Sequence, residues 1–218
     1  MKIDEKILNG RQYRNMQLAV QEEDDKKECR VVGYASTFNE PYLLYSDDYM
    51  ELWEQVDARA FDKTDMTDTI MQYDHEGRVF ARVSNNTLKL TVDEHGLFVE
   101  AMLGGTEEGR KLYEEIEGGY TSKMSFGFTV TGEDFAEENR TGEKTKYTRT
   151  ITEVGKLYDV SAVSLPANDA TEISARSFIN GVIEKDKAER LIKAENERKR
   201  KSLELKIKLL EGELKNEH

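Results

Sequence analysis

The sequence predicts an α+β protein: a β-barrel-like core of mostly antiparallel strands with a few flanking helices, plus a C-terminal helical tail. Three observations carry this reading. Short runs rich in β-branched and aromatic residues recur between Gly, Asn and Pro breaks, the pattern of many short strands. One acidic segment has apolar residues four apart, as an amphipathic helix does. Beyond about residue 178 the chain has no Pro, only two Gly, and a helical mix of Lys, Glu, Leu and Ala.

With 218 residues the chain has room for one substantial domain plus appendages. Ten Tyr, eight Phe and one Trp support a packed body, while 35% charged residues mark a solvated portion. The charge is uneven: residues 181–218 hold 11 Lys and Arg against 9 Asp and Glu, leaving 21 against 35 in residues 1–180. An acidic body repels phosphate backbones, so the expected partners are proteins and not nucleic acid. No apolar run approaches the ~18 residues of a membrane span. The opening MKIDEKILNGRQ lacks the apolar segment of a secretion signal, so a cytoplasmic protein with no membrane contact is expected. The single Cys29, in DDKKECR, excludes an intrachain disulfide and reads as a surface thiol.

Residues 1–29 read as a polar N-terminal segment, 30–177 as the folded domain and 178–218 as the tail. RVVGYASTF, Arg30 to Phe38, is a strand that Asn39-Glu40-Pro41 breaks. Pro41 to Trp53 is aromatic but irregular, as in a loop packed on the body, and Ala58 to Phe61 suggests a short helix. Thr69 to His75 reads as a strand ending at the turn Glu76-Gly77. RVFARVS, NTLKLTVD and GLFVEAML then form a three-strand meander with turns at Asn85-Asn86 and His95-Gly96. In Thr106 to Gly118, Leu112 and Ile116 lie four apart among acids, predicting the amphipathic helix. A polar, hairpin-like excursion, GEDFAEENRTGEKTKYTRT, separates the next strand from ITEV and LYDVSAVSLP. In the tail, Leu203, Ile207, Leu210 and Leu214 follow the 4-3-4 spacing of an a/d seam of barely two heptads.

Chemistry is expected around GGYTSKMSFGFTV, Gly118 to Val130. Read as a strand, it turns Tyr120, Met124, Phe126, Phe128 and Val130 to a core, and Ser125 and Gly127 to the opposite face. A serine is a nucleophile only if a base reaches it. His75 ends a strand in YDHEG, whereas His95 belongs to a hairpin turn and His218 to the chain end. In LYDVSAVSLP, Tyr158, Val160 and Ala162 form an apolar face, and Asp159 and Ser161 share the other with Leu157 and Val163. A buried acid there needs a partner, and a histidine suits it. Glu153, on ITEV, is the competing acid. No zinc site can be drawn from one cysteine and scattered histidines, and no cofactor is expected.

The set YDHEG, KMSFGF and LYDVSAVSLPAND resembles the prohead proteases of tailed bacteriophages, a family related to the herpesvirus assemblins. The resemblance covers roughly Val31 to Ser177. It implies His75 as general base, Ser125 as nucleophile and Asp159, with Glu153 behind it, as the third member. Backbone N–H groups of Ala167 or Asn168 would form the oxyanion hole, since Pro166 cannot donate.

The same resemblance implies an enzyme packaged in the immature shell, cleaving the scaffold and the major capsid protein and finally itself. Weak self-association concentrated in the shell would be one switch. The open edge of a sheet near Ser125, beside Gly127, would pair with an extended substrate. Two alternatives stay open: a non-catalytic scaffold or assembly protein, in which Ser125 and His75 lie far apart, and an esterase-like hydrolase using the same residues.

Overall fold

The computed structural model describes residues 12–20, 29–139, 142–163 and 173–216. Among these, ten strands join in one sheet: β1 (Gln12–Val20), β2 (Arg30–Thr37), β3 (Tyr42–Ser46), β4 (Met50–Val56), β5 (Ile70–Tyr73), β6 (Glu76–Arg82), β7 (Leu88–Val92), β8 (Gly96–Met102), β9 (Lys123–Glu138) and β10 (Thr145–Val163). Two α-helices accompany them, α1 (Glu107–Glu117) and α2 (Ile173–Asn216).

The strand order is β3-β4-β10-β9-β1-β2-β8-β7, with β5 paired to β10 and β6 paired to β5 off that path. The α+β class stands, but the barrel-like core is corrected. The terminal strands β3 and β7 do not pair with each other, so the sheet is open. Short strands with frequent turns are common to barrels and open sheets, and closure depends on whether the last strands meet.

The long strand β10 is the spine of the sheet. One edge runs antiparallel to β9; the other pairs parallel first with β4, through Thr145–Ile151, and then with β5, through Asp159–Ala162. Between these two ladders, residues 57–69 tuck against β10, with Val154 donating to the Ala60 carbonyl at 2.8 Å and Ala60 and Phe61 buried. That segment turns without forming the helix expected at Ala58 to Phe61. Its backbone is drawn into bonds with the neighbouring strand instead.

Several local expectations change for the same reason, long-range pairing. Pro41 to Trp53 holds the β3–β4 hairpin, and the polar excursion is the far half of the β9–β10 hairpin. The N-terminal segment includes β1, which fills the place between β9 and β2. The meander is only partly formed, because β7 pairs with β8 while β6 pairs with β5. Cys29 is buried in the core, and burial pushes its thiol pKa up. Tyr120 precedes the strand and is 84% exposed. Met124, Phe126, Phe128 and Val130 do face the core, with Phe126 and Phe128 stacked at 4.6 Å.

Helix α1 follows its sequence signals closely. The Thr106 hydroxyl caps it by accepting from the Gly109 N–H at 3.0 Å, Glu107 and Glu108 lie in the first turn, and Leu112 and Ile116 are buried. A Cβ at Gly109 would stand 2.1 Å from the Leu103 carbonyl oxygen, so only glycine lets the helix start this close to β8.

A buried ionic network ties the central strands together. The Glu54 carboxylate, fully buried on β4, accepts from Arg14 of β1, Tyr42 of β3 and Arg149 of β10, the last at 2.7 Å. Arg149 also reaches Gln12 at 2.8 Å and Glu133 at 2.6 Å. Burial alone would raise the Glu54 pKa, but Arg14 and Arg149 hold it down to about 2.

Residues Ile179–His218 form a second compact unit. Within it, i,i+4 ion pairs such as Asp186–Arg190 (2.7 Å) and Glu195–Lys199 (2.7 Å) line the helix. Leu203 and Ile207 of the expected seam are exposed, whereas the side chains of Leu210 and Leu214 lie outside the described residues.

Candidate active site

Direct cross-strand partners share a face of the sheet, and this decides which side chains meet. On β9 and β10, Phe128 pairs with Leu157. Continued without interruption, that register would set Asp159 opposite Phe126, on the face away from Ser125. The pairing instead advances two residues on β10 for one on β9, so Asp159 faces Gly127 and Ser161 faces Ser125. This β-bulge moves Asp159 and Ser161 onto the Ser125 face. It also explains how Leu157 can join the core while Asp159, two residues on, joins the site.

His75 arrives on a tight turn. Tyr73 of β5 pairs with Glu76 of β6, leaving Asp74 and His75 as a two-residue loop with φ of +47° and +60°. Positive φ at both central positions is the signature of a type I′ hairpin, where glycine is the usual second residue. A histidine there is a strained choice, the kind that persists when a side chain is needed at that point. The turn thus falls earlier than the sequence suggested. Gly77, at φ +71°, belongs to a bulge in β6. Its anchor is β10, whose Ala162 carbonyl accepts from the Asp74 N–H at 2.9 Å.

These two devices bring three residues into line. His75 Nε2 lies 2.7 Å from Ser125 Oγ, and His75 Nδ1 lies 2.6 Å from Asp159 Oδ1. Ser125 and Asp159 are buried, and the His75 side chain is 13% exposed. A carboxylate only accepts, so the ring proton belongs on Nδ1 and Nε2 is left to accept from the serine hydroxyl. Such an arrangement can activate an oxygen nucleophile and stabilise the imidazolium that forms.

Ser161, which the sequence reading left without a role, supports the acid. Its buried hydroxyl donates to Asp159 Oδ1 at 2.9 Å. The available signal was the spacing of two within DVS, which puts both side chains on one face of a strand.

The other candidates lie elsewhere. Glu153 is exposed, six residues back on β10 and therefore roughly 20 Å from Asp159 at the rise of a strand. His95 sits in the β7–β8 turn, donating its N–H to the Asp93 carboxylate at 2.8 Å. Ala167, Asn168 and His218 lie outside the described residues. The expected open edge beside Ser125 is absent: β9 is paired on both sides there, Ser125 facing Ser161 of β10 and Asn15 of β1. Among the described residues, no group of His, Cys, Asp and Glu is placed to hold a metal ion.

A family model described as Caudovirus prohead serine protease matches residues 16–183. The chain belongs to that family. No curated protein and no solved structure matches it. The match supports a serine-protease role in prohead maturation in general. As a prohead serine protease, the chain carries its Ser–His–Asp contacts within the matched residues, with His75 on the β5–β6 turn, Ser125 on β9 and Asp159 on β10.

Proposed function

We propose that this prohead serine protease is the endopeptidase that trims the scaffold and the major capsid protein inside the immature shell, in the host cytoplasm, and then cuts itself. Ser125 is the nucleophile, His75 the general base and then acid, and Asp159 the group that orients His75. The observation that carries this reading is the pair of contacts at 2.7 Å and 2.6 Å joining Ser125, His75 and Asp159.

In the first half-reaction His75 Nε2 takes the hydroxyl proton as Ser125 Oγ adds to the scissile carbonyl. The tetrahedral adduct expels the amine, which leaves with the proton held on Nε2. In the second half a water gives its proton to Nε2 and adds to the acyl ester, and Ser125 leaves as the restored hydroxyl. A non-catalytic assembly protein expects Ser125 and His75 far apart, and their contact counts against it.

The helical tail fits recruitment into the scaffold core, with residues 191–208 exposed along the helix. The deciding experiment is co-expression with the neighbouring capsid gene product, comparing the wild type with Ser125→Ala by intact mass. Trimming of capsid protein and protease with the wild type alone supports the reading. Particles that assemble untrimmed with both proteins would favour the assembly protein instead.

A further inference from the structure

The face of β9 that bears Ser125 has no free edge, so a substrate chain must be read elsewhere. The nearest free edge among the described strands starts one residue after His75. β6 pairs only with β5, and between Tyr73–Glu76 and Met71–Ala81 it spends five residues where β5 spends two. Gly77, Arg78 and Val79 consequently stand exposed, with three more residues in the path than the partner strand can match.

A groove of about 580 Å³ opens between this stretch and α1. Tyr73, Phe80 and Leu112 supply its apolar lining, and its walls carry four carboxylates against Arg78 and Lys111. Both cations already have acids beside them, Arg78 with Glu108 and Lys111 with Glu107, each at 2.8 Å. The charge of the groove is thereby left negative. Its size and lining suit a small number of side chains held by apolar contact.

We propose that this groove is the substrate-recognition subsite, and that its occupant is an extended peptide pairing with the β6 edge at Gly77–Phe80. The peptide buries a large apolar side chain against Tyr73, Phe80 and Leu112 and carries a Lys or Arg next to it. The inference rests on the peptidase reading and names its substrate preference. Addition of a strand supplies main-chain bonds of any sequence, whereas the lining and the acidic walls supply the choice of side chain. The turn that holds His75 also forms one end of the groove, since Asp74 and Glu76 line it. His75 stands between these two lining residues, on the same two-residue turn.

The test uses the full-length Ser125→Ala protein and three blocked decapeptides that differ at two central positions, Leu-Lys, Leu-Glu and Ala-Lys. Hydrogen exchange and affinity are read in parallel with hydrolysis by the wild type. The Leu-Lys peptide is expected to slow exchange at residues 77–80 and along α1, and to bind about fivefold more tightly than the Leu-Glu peptide. Glu115→Lys, an exposed change on α1 that evens the acids and cations of the lining, should erase that preference. Protection absent from 77–80, or a charge preference untouched by Glu115→Lys, overturns the groove. Groove binding without any hydrolysis by the wild type would instead sink the peptidase reading alone.

Discussion

Ser161 and Ser125 face each other across the β9–β10 ladder, and their hydroxyls serve opposite ends of one histidine's chain of contacts: Ser125 meets His75 Nε2, and Ser161 meets the carboxylate that holds Nδ1. Losing a hydrogen bond to a charged group inside the fold is worth more than losing a neutral one. Ser161→Ala is therefore expected to lower kcat about tenfold with KM little changed, and Ser161→Thr, which keeps the hydroxyl, to restore most of it. Steady-state kinetics of the two variants checks this, and equal loss in both would mean the hydroxyl is not what matters.

Gly127 lies directly opposite Asp159 and two residues from Ser125 on the same face. A side chain added there would share the face on which His75 bridges Ser125 and Asp159. Gly127→Val should cost about 100-fold in kcat, the scale of a displacement of ~1 Å at reacting groups. Thermal melting would separate this from unfolding.

The two acids on β10 make opposite predictions. Asp159→Asn keeps the shape but favours the wrong tautomer of His75, with an expected loss on the order of 10⁴ in kcat. Glu153→Gln, exposed and distant along the strand, should stay within about twofold of the wild type. A loss at Glu153 comparable to that at Asp159 would move the acid to the other position.

Glu54 gives the fold its own dependence on pH. Its folded pKa of about 2 lies below the ordinary glutamate value of 4.5. Its contribution is fully present above the unfolded value and is lost as acid takes the pH from about 4.5 down through about 2. Denaturant melts across that range should show stability falling with pH. Glu54→Gln, which leaves Arg14 and Arg149 buried without their shared carboxylate, should cost about 3–5 kcal/mol at neutral pH and flatten that fall.

The convergent residues were legible in the sequence because their chemistry travels with short motifs. YDHEG, KMSFGF and LYDVS each name a residue type in a strand context, and the fold brings His75, Ser125 and Asp159 together. What a local pattern could not supply was register. Strict alternation put Leu157 and Asp159 on one face, and only the bulge separates them. β1 is not legible locally because Gln12 and Arg14 look like solvated residues until Glu54 and Arg149, far along the chain, satisfy them. The burial of Cys29 is hidden in the same way, as its charged neighbours in sequence say nothing of the core it joins. Closure of the sheet is a property of its two end strands, which no single segment encodes.

The strand that organises the sheet is also the last to be made. β4 and β5, already paired with β3 and β6, gain their second neighbour only from β10, and β9 receives Asp159 and Ser161 only when residues 159–161 have left the ribosome. A chain still being translated through its first 150 residues holds Ser125 and His75 without the strand that aligns them. The Ser125–His75–Asp159 contacts are thus incomplete until residue 159 has emerged, and a chain cut or terminated before Asp159 lacks the acid that His75 meets. The order in which the strands are made therefore sets when the three side chains can first meet.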